Sequence, residues 1–156
     1  MEIVPFRKED QEATAAFMRQ IYQEMGWPEQ PKDRIDDLSS FFHLPNDGYL
    51  LLIKEHGKVV GMGGYINLIN GDLLLKRFYI DKELRGSGIA QKLWEKLLES
   101  MKPLQASRVV LDVSKRNPRA IRFYEKNGFV QYDQAPIDNW EESNHPETQR
   151  FYFLNI

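Results

Sequence analysis

The chain has no cysteine. That excludes a disulfide scaffold, a thiolate metal site and a cysteine nucleophile, and it fits a reducing, cytoplasmic setting. Histidine is nearly as scarce: His43, His56 and His145 are scattered, with no second ligand at helical spacing, so no metal site is expected. No apolar run approaches the roughly 18 residues of a membrane span. The opening MEIVPFRKED lacks the apolar segment of a secretory signal. Neither a membrane partner nor a nucleic acid is expected, because 21 basic against 23 acidic residues leave a net charge of only −2.

What is present suits one globular domain spanning 1–156. A chain of 156 residues buries roughly 70% of its unfolded surface. With 42% hydrophobic and 12% aromatic residues it has the material for a core, which argues against disorder. The charges are unevenly spread. Lys76 to Lys126 holds 13 basic and 6 acidic residues, Ile21 to Leu50 has 6 acidic and 2 basic ones, and Gln131 to Gln149 has 5 acidic and none basic. Such asymmetry suits one surface for an anion and another for a cation, against the plainer reading of solvated charges clustered by chance.

Glu2–Phe6 reads as a first strand. Ala13, Phe17, Ile21 and Met25 recur every four residues, a helix with Asp10 as N-cap and Gly26 as its stop. A second short helix is expected after Pro31, with Ile35, Leu38 and Phe42 on one face. Tyr49–Ile53 is a buried strand, and Val59 to Leu68 pairs back across the Glu55–Lys58 turn. Asn70-Gly71 is the strongest hairpin signal and leads into Leu73–Ile80. Gly61-Met62-Gly63-Gly64, inside a strand, reads as a bulge or close backbone contact. Ile89 to Met101 is the clearest amphipathic helix. Arg108–Val113 is a buried strand. Asn117-Pro118 opens a helix that Gly128 closes. Phe129–Tyr132 and Gln149–Ile156 end the order β-α-α-β-β-β-α-β-α-β-β, an α/β chain with a mixed sheet. The loop Asp133 to Thr148 is long enough to suggest function.

The chemistry concentrates in Arg85-Gly86-Ser87-Gly88-Ile89-Ala90, between a strand and the strong helix. Glycines let the backbone approach a ligand, and the N–H groups of the first helical turn suit a pyrophosphate. A merely flexible connection fits the spacing equally well. A Rossmann fingerprint fails, because its third glycine position is Gln91, and no Gly-Lys-Ser/Thr supplies a Walker loop.

What remains, Arg-x-x-Gly-x-Ala, resembles the acetyl-CoA signature of the GNAT superfamily of N-acetyltransferases, Q/R-x-x-G-x-G/A. Leu75 to Asp81 resembles the strand that feeds that signature. Asn117-Pro118-Arg119-Ala120-Ile121-Arg122-Phe123-Tyr124-Glu125-Lys126-Asn127-Gly128-Phe129 resembles a second family motif. The likeness covers about Val59 to Tyr132. It implies a single GNAT-like domain: a central, mostly antiparallel mixed sheet, flanked by helices, whose fourth and fifth strands splay to admit a pantetheine arm. It implies acetyl-CoA as co-substrate, held by Phe78, Tyr79, Ile80, Arg85, Gly86, Ser87, Gly88, Ile89, Ala90, Asn117 and Arg119. Lys115 and Arg116 lie near enough in sequence to meet its phosphates.

The resemblance makes Tyr124 the general acid for the departing thiolate. From ordinary values near 8.5 for a thiol and 10 for a phenol, that transfer is uphill by about 2 kcal/mol. Core packing is the plainer reading of Phe123-Tyr124. An N–H near Phe78 would serve a developing oxyanion. A lysine-like amine is neutral only about once in 2500 at pH 7, so a base is needed. Some relatives carry a glutamate where this chain has Leu74; His43, Asp72 and Asp112 are candidates, each also readable as structural. Trp27, Phe41, Phe42 and Trp140 are candidates for an acceptor wall, and Glu24, Asp36, Asp37, Glu141 and Glu142 for attracting a cation. The expected reaction is direct attack by a primary amine, small molecule or peptide, in a ternary complex, since no nucleophile with an adjacent base is evident. Two alternatives stay open: a catalytically silent CoA-binding module, and a protein lysine or N-terminal acetyltransferase. A homodimer through Gln149–Ile156 also stays open, against a strand covered within one chain.

Overall fold

The computed structural model describes residues 1–42, 48–135 and 147–156. Two compact units divide the chain: Met1–Ile66 with Lys76–Ser100, and Asn67–Leu75 with Met101–Ile156. Among the described residues the elements are β1 (Glu2–Pro5), α1 (Gln11–Met25), α2 (Leu38–Phe42), β2 (Gly48–Glu55), β3 (Lys58–Asn67), β4 (Leu73–Ile80), α3 (Ile89–Met101), β5 (Arg108–Ser114), α4 (Pro118–Lys126), β6 (Val130–Tyr132) and β7 (Gln149–Asn155). This is the order expected from the sequence. The strands form a seven-stranded mixed sheet in the order β1-β2-β3-β4-β5-β7-β6.

In the first unit, β1 pairs antiparallel with β2, and β2 with β3. His56 and Gly57 join the second pair with φ of +50° and +75°, the left-handed pair that a two-residue hairpin of the right twist requires. Helix α1 buries Thr14, Ala15, Phe17, Met18 and Ile21, and Gly26 ends it at φ +71°. Asp10 does not cap α1 with its side chain. Its carboxylate accepts the Arg7 N–H at 2.9 Å, closing a 3₁₀ turn at Lys8–Asp10, and pairs with Lys54 of β2. The helix start is thereby fixed to the sheet.

The helix expected after Pro31 is broken in two. Asp33 accepts the Gln30 N–H at 2.8 Å and closes a 3₁₀ turn, Pro31–Asp33. Arg34 then enters the left-handed region at φ +48°, which no continuing helix tolerates. Gln11 holds the gap: its amide donates to the Ile35 carbonyl at 2.8 Å and accepts the Leu38 N–H at 2.9 Å. Ile35, Leu38 and Phe42 are nevertheless all buried, so the apolar face survives without the helix.

Helix α3 has the expected bounds, and its Ile89, Leu93, Trp94 and Leu97 are buried. Its contact with the sheet explains the glycine run. A Cβ at Gly63 would stand 2.8 Å from the Phe78 ring, 3.2 Å from Leu97 and 3.3 Å from Leu93. A Cβ at Gly64 would press on the Tyr49 carbonyl oxygen and the Phe42 ring.

In the second unit, β7 pairs antiparallel with β5 from Gln149 to Asn155 and with β6 from Phe151 to Phe153. Both edges of β7 are therefore taken at its centre, and the sheet edge here is β6. Pairing of two copies through β7 would need a free edge at Phe151–Phe153, which this strand lacks. The start of β4 pairs parallel with β5 at Leu73↔Val109 and Leu74↔Val110. Asn70 accepts the Asp72 N–H at 3.0 Å and Gly71 takes φ +89°, making the expected turn. Asp72 also binds Arg108 at 2.9 Å, so this candidate base is a structural partner of β5.

Gly64→Ala should destabilise the fold by about 2–3 kcal/mol, because the clash is with backbone that cannot step aside. Thermal or urea unfolding would measure it; a wild-type midpoint would contradict this packing.

Candidate active site

Within β4, Arg77 is left-handed where a strand is extended, with φ +56°. A non-glycine residue there costs about 1–3 kcal/mol unless its surroundings hold it. The side chain is 8% exposed. Its guanidinium carbon lies 3.4 Å above the Phe41 ring, Nη2 donates to the Asp33 carbonyl, and Nη1 lies 3.7 Å from the Met18 sulfur. Phe78, Tyr79 and Ile80 come directly after this kink.

Asp81 then turns the chain. Its N–H reaches the Val60 carbonyl at 2.9 Å, and its carboxylate accepts the Glu83 N–H and the Gln20 amide, each at 3.0 Å. The Glu83 N–H, outweighing burial and aided by Gln20, holds the Asp81 carboxyl below the ordinary carboxylate value. Arg85 secures the segment after the turn. Its Nε donates to the Ile80 carbonyl at 3.1 Å, and its two terminal nitrogens grip both oxygens of Glu24 at the end of α1. The guanidinium, expected to meet a cofactor, is engaged within the chain.

Beyond it, Gly86 and Gly88 take φ of +83° and +89°, and a Cβ on either would meet nothing within 4 Å. Ser87 Oγ donates to the Leu84 carbonyl at 2.5 Å and accepts the Ile89 N–H at 3.4 Å. The Gly88 carbonyl accepts the Lys92 N–H at 3.3 Å and so starts α3, with Ile89 buried and Ala90 half-buried in its first turn. The loop therefore presents backbone along an open face at the positive end of a 13-residue helix, which fits a phosphate group.

The second unit carries the other expected residues on α4. Asn117 accepts the Ala120 N–H at 3.2 Å, and Pro118 stands at the first helical position. The amide is thus the helix cap. Arg119, Lys115, Arg116 and Arg122 are exposed around this end. At the other end the Gly128 N–H reaches the Glu125 carbonyl at 3.1 Å and the Phe129 N–H the Tyr124 carbonyl at 3.1 Å, with Gly128 at φ +90°. This is a Schellman closure, and the apolar contact that accompanies it is Tyr124 against Phe129, ring centroids 5.6 Å apart and near perpendicular. Phe123 lies 5.7 Å away on the other side. Tyr124 is held by packing and 9% exposed.

The acceptor candidates separate. Phe41 and Phe42 are buried core. Trp27 is 37% exposed and packs with Tyr22 at 5.6 Å and Tyr79 at 6.1 Å. Glu24 holds Arg85, Asp36 pairs with Arg19 at 2.9 Å, and Asp37 accepts the Ser40 N–H at 3.2 Å. These three acids thus serve their own chain, and the plain structural reading gains. The hydrogen bond from Arg19 lowers the Asp36 carboxyl from its ordinary value. Asp112 is half-buried on β5 and His56 sits in its turn. His43, Trp140, Glu141, Glu142 and His145, with most of the Asp133–Thr148 loop, lie outside the described residues. Among those described, no three His, Cys, Asp or Glu side chains are grouped to hold a metal, and no helix is long and apolar enough to cross a membrane. Sequence reasoning missed the Arg77 kink, the Arg85–Glu24 grip and the Tyr22–Trp27–Tyr79 cluster. For the first, the available signal was the charged pair Lys76-Arg77 inside an otherwise apolar strand.

Asp81→Asn tests the turn by pH. The folded-state pKa is depressed, so the carboxylate contributes stability above about pH 4 and loses it as pH falls through the depressed value. The stability gap between wild type and variant should be steady near neutrality and close on acidification. A gap that widens in acid would contradict this reading.

Comparison with known proteins agrees with these features. Residues 14–129 match the profile of the Acetyltransferase (GNAT) family. An uncharacterized N-acetyltransferase of Mycobacterium tuberculosis is 35% identical over 80 residues, 51% of each chain. N-alpha-acetyltransferase 30 of Schizosaccharomyces pombe is 34% identical over 96 residues, 60% of this chain and 58% of the relative. A probable spermine N(1)-acetyltransferase of Bacillus subtilis subsp. natto is 36% identical over 61 residues, 38% and 40% of the two. The chain spans about half the length of the curated relatives it matches. In fold it resembles a GNAT-family acetyltransferase of Staphylococcus aureus, TM-score 0.81 at 24% identity, over 99% of this chain and 98% of that one. A profile match across most of the sequence, a seven-stranded mixed sheet, and a glycine loop opening α3 lead to one conclusion: the chain belongs to the GNAT acetyltransferase family.

Proposed function

We propose that the chain, as a single domain, transfers the acetyl group of acetyl-CoA to a primary amine by direct attack in a ternary complex. The observation that carries this reading is the loop: two left-handed glycines, each open where a Cβ would be, lead into the first turn of a long amphipathic helix. Acetyl-CoA supplies the activated thioester. The loop from Gly86 to Ala90 binds its pyrophosphate at the start of α3, while Arg85 and the Ser87 side chain hold the loop in shape. The backbone of Phe78, Tyr79 and Ile80 receives the pantetheine arm, and an N–H beside Phe78 faces the charge that develops on the carbonyl oxygen. Asn117 sets the start of α4, from which Arg119 and its basic neighbours reach phosphate.

Tyr124 donates its phenolic proton to the departing thiolate. Its fixed place at the closing turn of α4 supports that role, because a general acid must be held where the leaving group emerges. The acceptor loses a proton as the amide forms; Asp112, half-buried on β5, is a candidate for receiving it. Trp27, Tyr22 and Tyr79 offer aromatic faces to a cationic amine, an attraction worth about 0.5–2 kcal/mol. The named relatives include one named as a probable spermine N(1)-acetyltransferase and one named for N-alpha acetylation, so small polyamines and unblocked peptides are the acceptors to compare.

The test is amine-dependent release of CoA thiol with spermine, spermidine or a short unblocked peptide. Turnover with the polyamines alone supports a small-molecule acceptor; turnover with the peptide alone supports the protein reading. Acetyl-CoA binding without any turnover favours the silent module. Tyr124→Phe should lower kcat about tenfold to a hundredfold and change acetyl-CoA affinity little, since the hydroxyl acts only as the thiolate leaves. Full activity in that variant removes Tyr124 from the mechanism.

A further inference from the structure

Arg77 is the fifth of the eight residues of β4, and its backbone is left-handed where a strand is extended. Glycine would take φ +56° without strain, yet the position carries a long charged side chain. That side chain is folded inward against three separate segments. Its guanidinium lies flat on Phe41 of α2, 3.4 Å from the ring centroid. It donates to the Asp33 carbonyl of the 3₁₀ turn and meets the Met18 sulfur of α1 at 3.7 Å. A planar cation with several N–H donors can stack and donate at once; a lysine ammonium cannot. The next three residues, Phe78 to Ile80, are those assigned above to the pantetheine arm, with an N–H beside Phe78 at the acyl carbonyl.

We propose that Arg77 is a positioning residue for acetyl transfer: the clamp on its guanidinium fixes the left-handed kink of β4, and the kink sets the direction of the Phe78–Ile80 backbone. This rests on the acetyltransferase reading above. The clamp works at a distance from the reacting atoms. Phe41 and Asp33 hold the guanidinium, the guanidinium holds the Arg77 backbone, and the backbone aims the N–H groups of the next three residues. The left-handed residue is thus tied to the segment from Asp33 to Phe41, which otherwise lacks a continuous helix.

Two variants separate the clamp from the backbone it holds. Arg77→Gly accepts the left-handed conformation without strain and removes the clamp. Phe41→Leu keeps Arg77 and removes the surface on which it stacks. Wild type and both variants are titrated with CoA by calorimetry for affinity and stoichiometry. Turnover of acetyl-CoA is then measured with whichever of spermine, spermidine or the unblocked peptide the wild type uses, and kcat is expressed per CoA-binding site. The expected result is a fall in per-site kcat of about tenfold to a hundredfold, as misplacement of reacting groups gives, with stoichiometry near one and CoA affinity within about threefold. A merely structural role would lower the stoichiometry and leave per-site kcat alone, and that result overturns the proposal. So does a folded variant whose per-site kcat stays within about twofold of wild type, or a fall matched by an equal loss of CoA affinity. If Arg77→Gly does not fold, Phe41→Leu decides by the same criteria. A wild type that bound no acetyl-CoA, or bound it and used none of the three amines, would instead overturn the transferase reading, and it is recognised before any variant is made.

Discussion

One guanidinium decides how β4 becomes α3. Arg85 reaches back to the Ile80 carbonyl and across to both oxygens of Glu24, so the end of a strand, the end of α1 and the start of the glycine loop share a single anchor. Asp81 completes the turn with four hydrogen bonds, one of them from Gln20 of α1. Gly86 and Gly88 are free to be left-handed because this anchor relieves them of any packing duty: neither has a neighbour where a side chain would begin. An open loop on a fixed base is what an anion site at a helix start requires.

The same logic governs α4. With 9 residues it is too short to be stable alone, and both of its ends are closed by specific chemistry. Asn117 caps the start, and the Gly128 turn caps the finish. The packing that seals the finish is between Tyr124 and Phe129, so the residue proposed to give up a proton is also part of the device that ends its helix. The phenol is therefore positioned by the backbone turn as well as by its neighbours, and Phe123-Tyr124 need not be read as either packing or chemistry alone.

Much of this was legible in the sequence, and the parts that were not share a cause. The period of Ile89 to Met101 gave the bounds of α3, and Asn-Pro at one end with Gly at the other marked α4, because caps and periodicity are local. The glycine run in β3 was legible as a bulge or close contact, and close contact is what Gly61, Gly63 and Gly64 make. Asp10 stands at the expected N-cap of α1 but turns its side chain to a 3₁₀ turn, and the segment after Pro31 misled because Asp33 closes such a turn where a longer helix was expected. Arg77 and Arg85 were visible as charges but not as clamps: Asp33, Met18 and Glu24, which hold them with Phe41, lie 44, 59 and 61 residues away in sequence. The acids Glu24 and Asp36 looked available for a cationic acceptor until those distant partners were known.

The central claim is that the glycine loop binds the phosphates of acetyl-CoA, and calorimetric titration tests it most directly. Wild type, Gly88→Ala and Gly71→Ala are each titrated with acetyl-CoA, with NAD and ATP as controls. Both glycines have φ +89° and open space at the missing Cβ, so the two variants carry the same backbone strain. The account expects wild type to bind acetyl-CoA alone with a Kd on the order of micromolar, about −8 kcal/mol. Gly88→Ala should bind it at least about tenfold more weakly, and Gly71→Ala about as well as wild type. Equal affinity in all three proteins, or no binding by wild type, would contradict it.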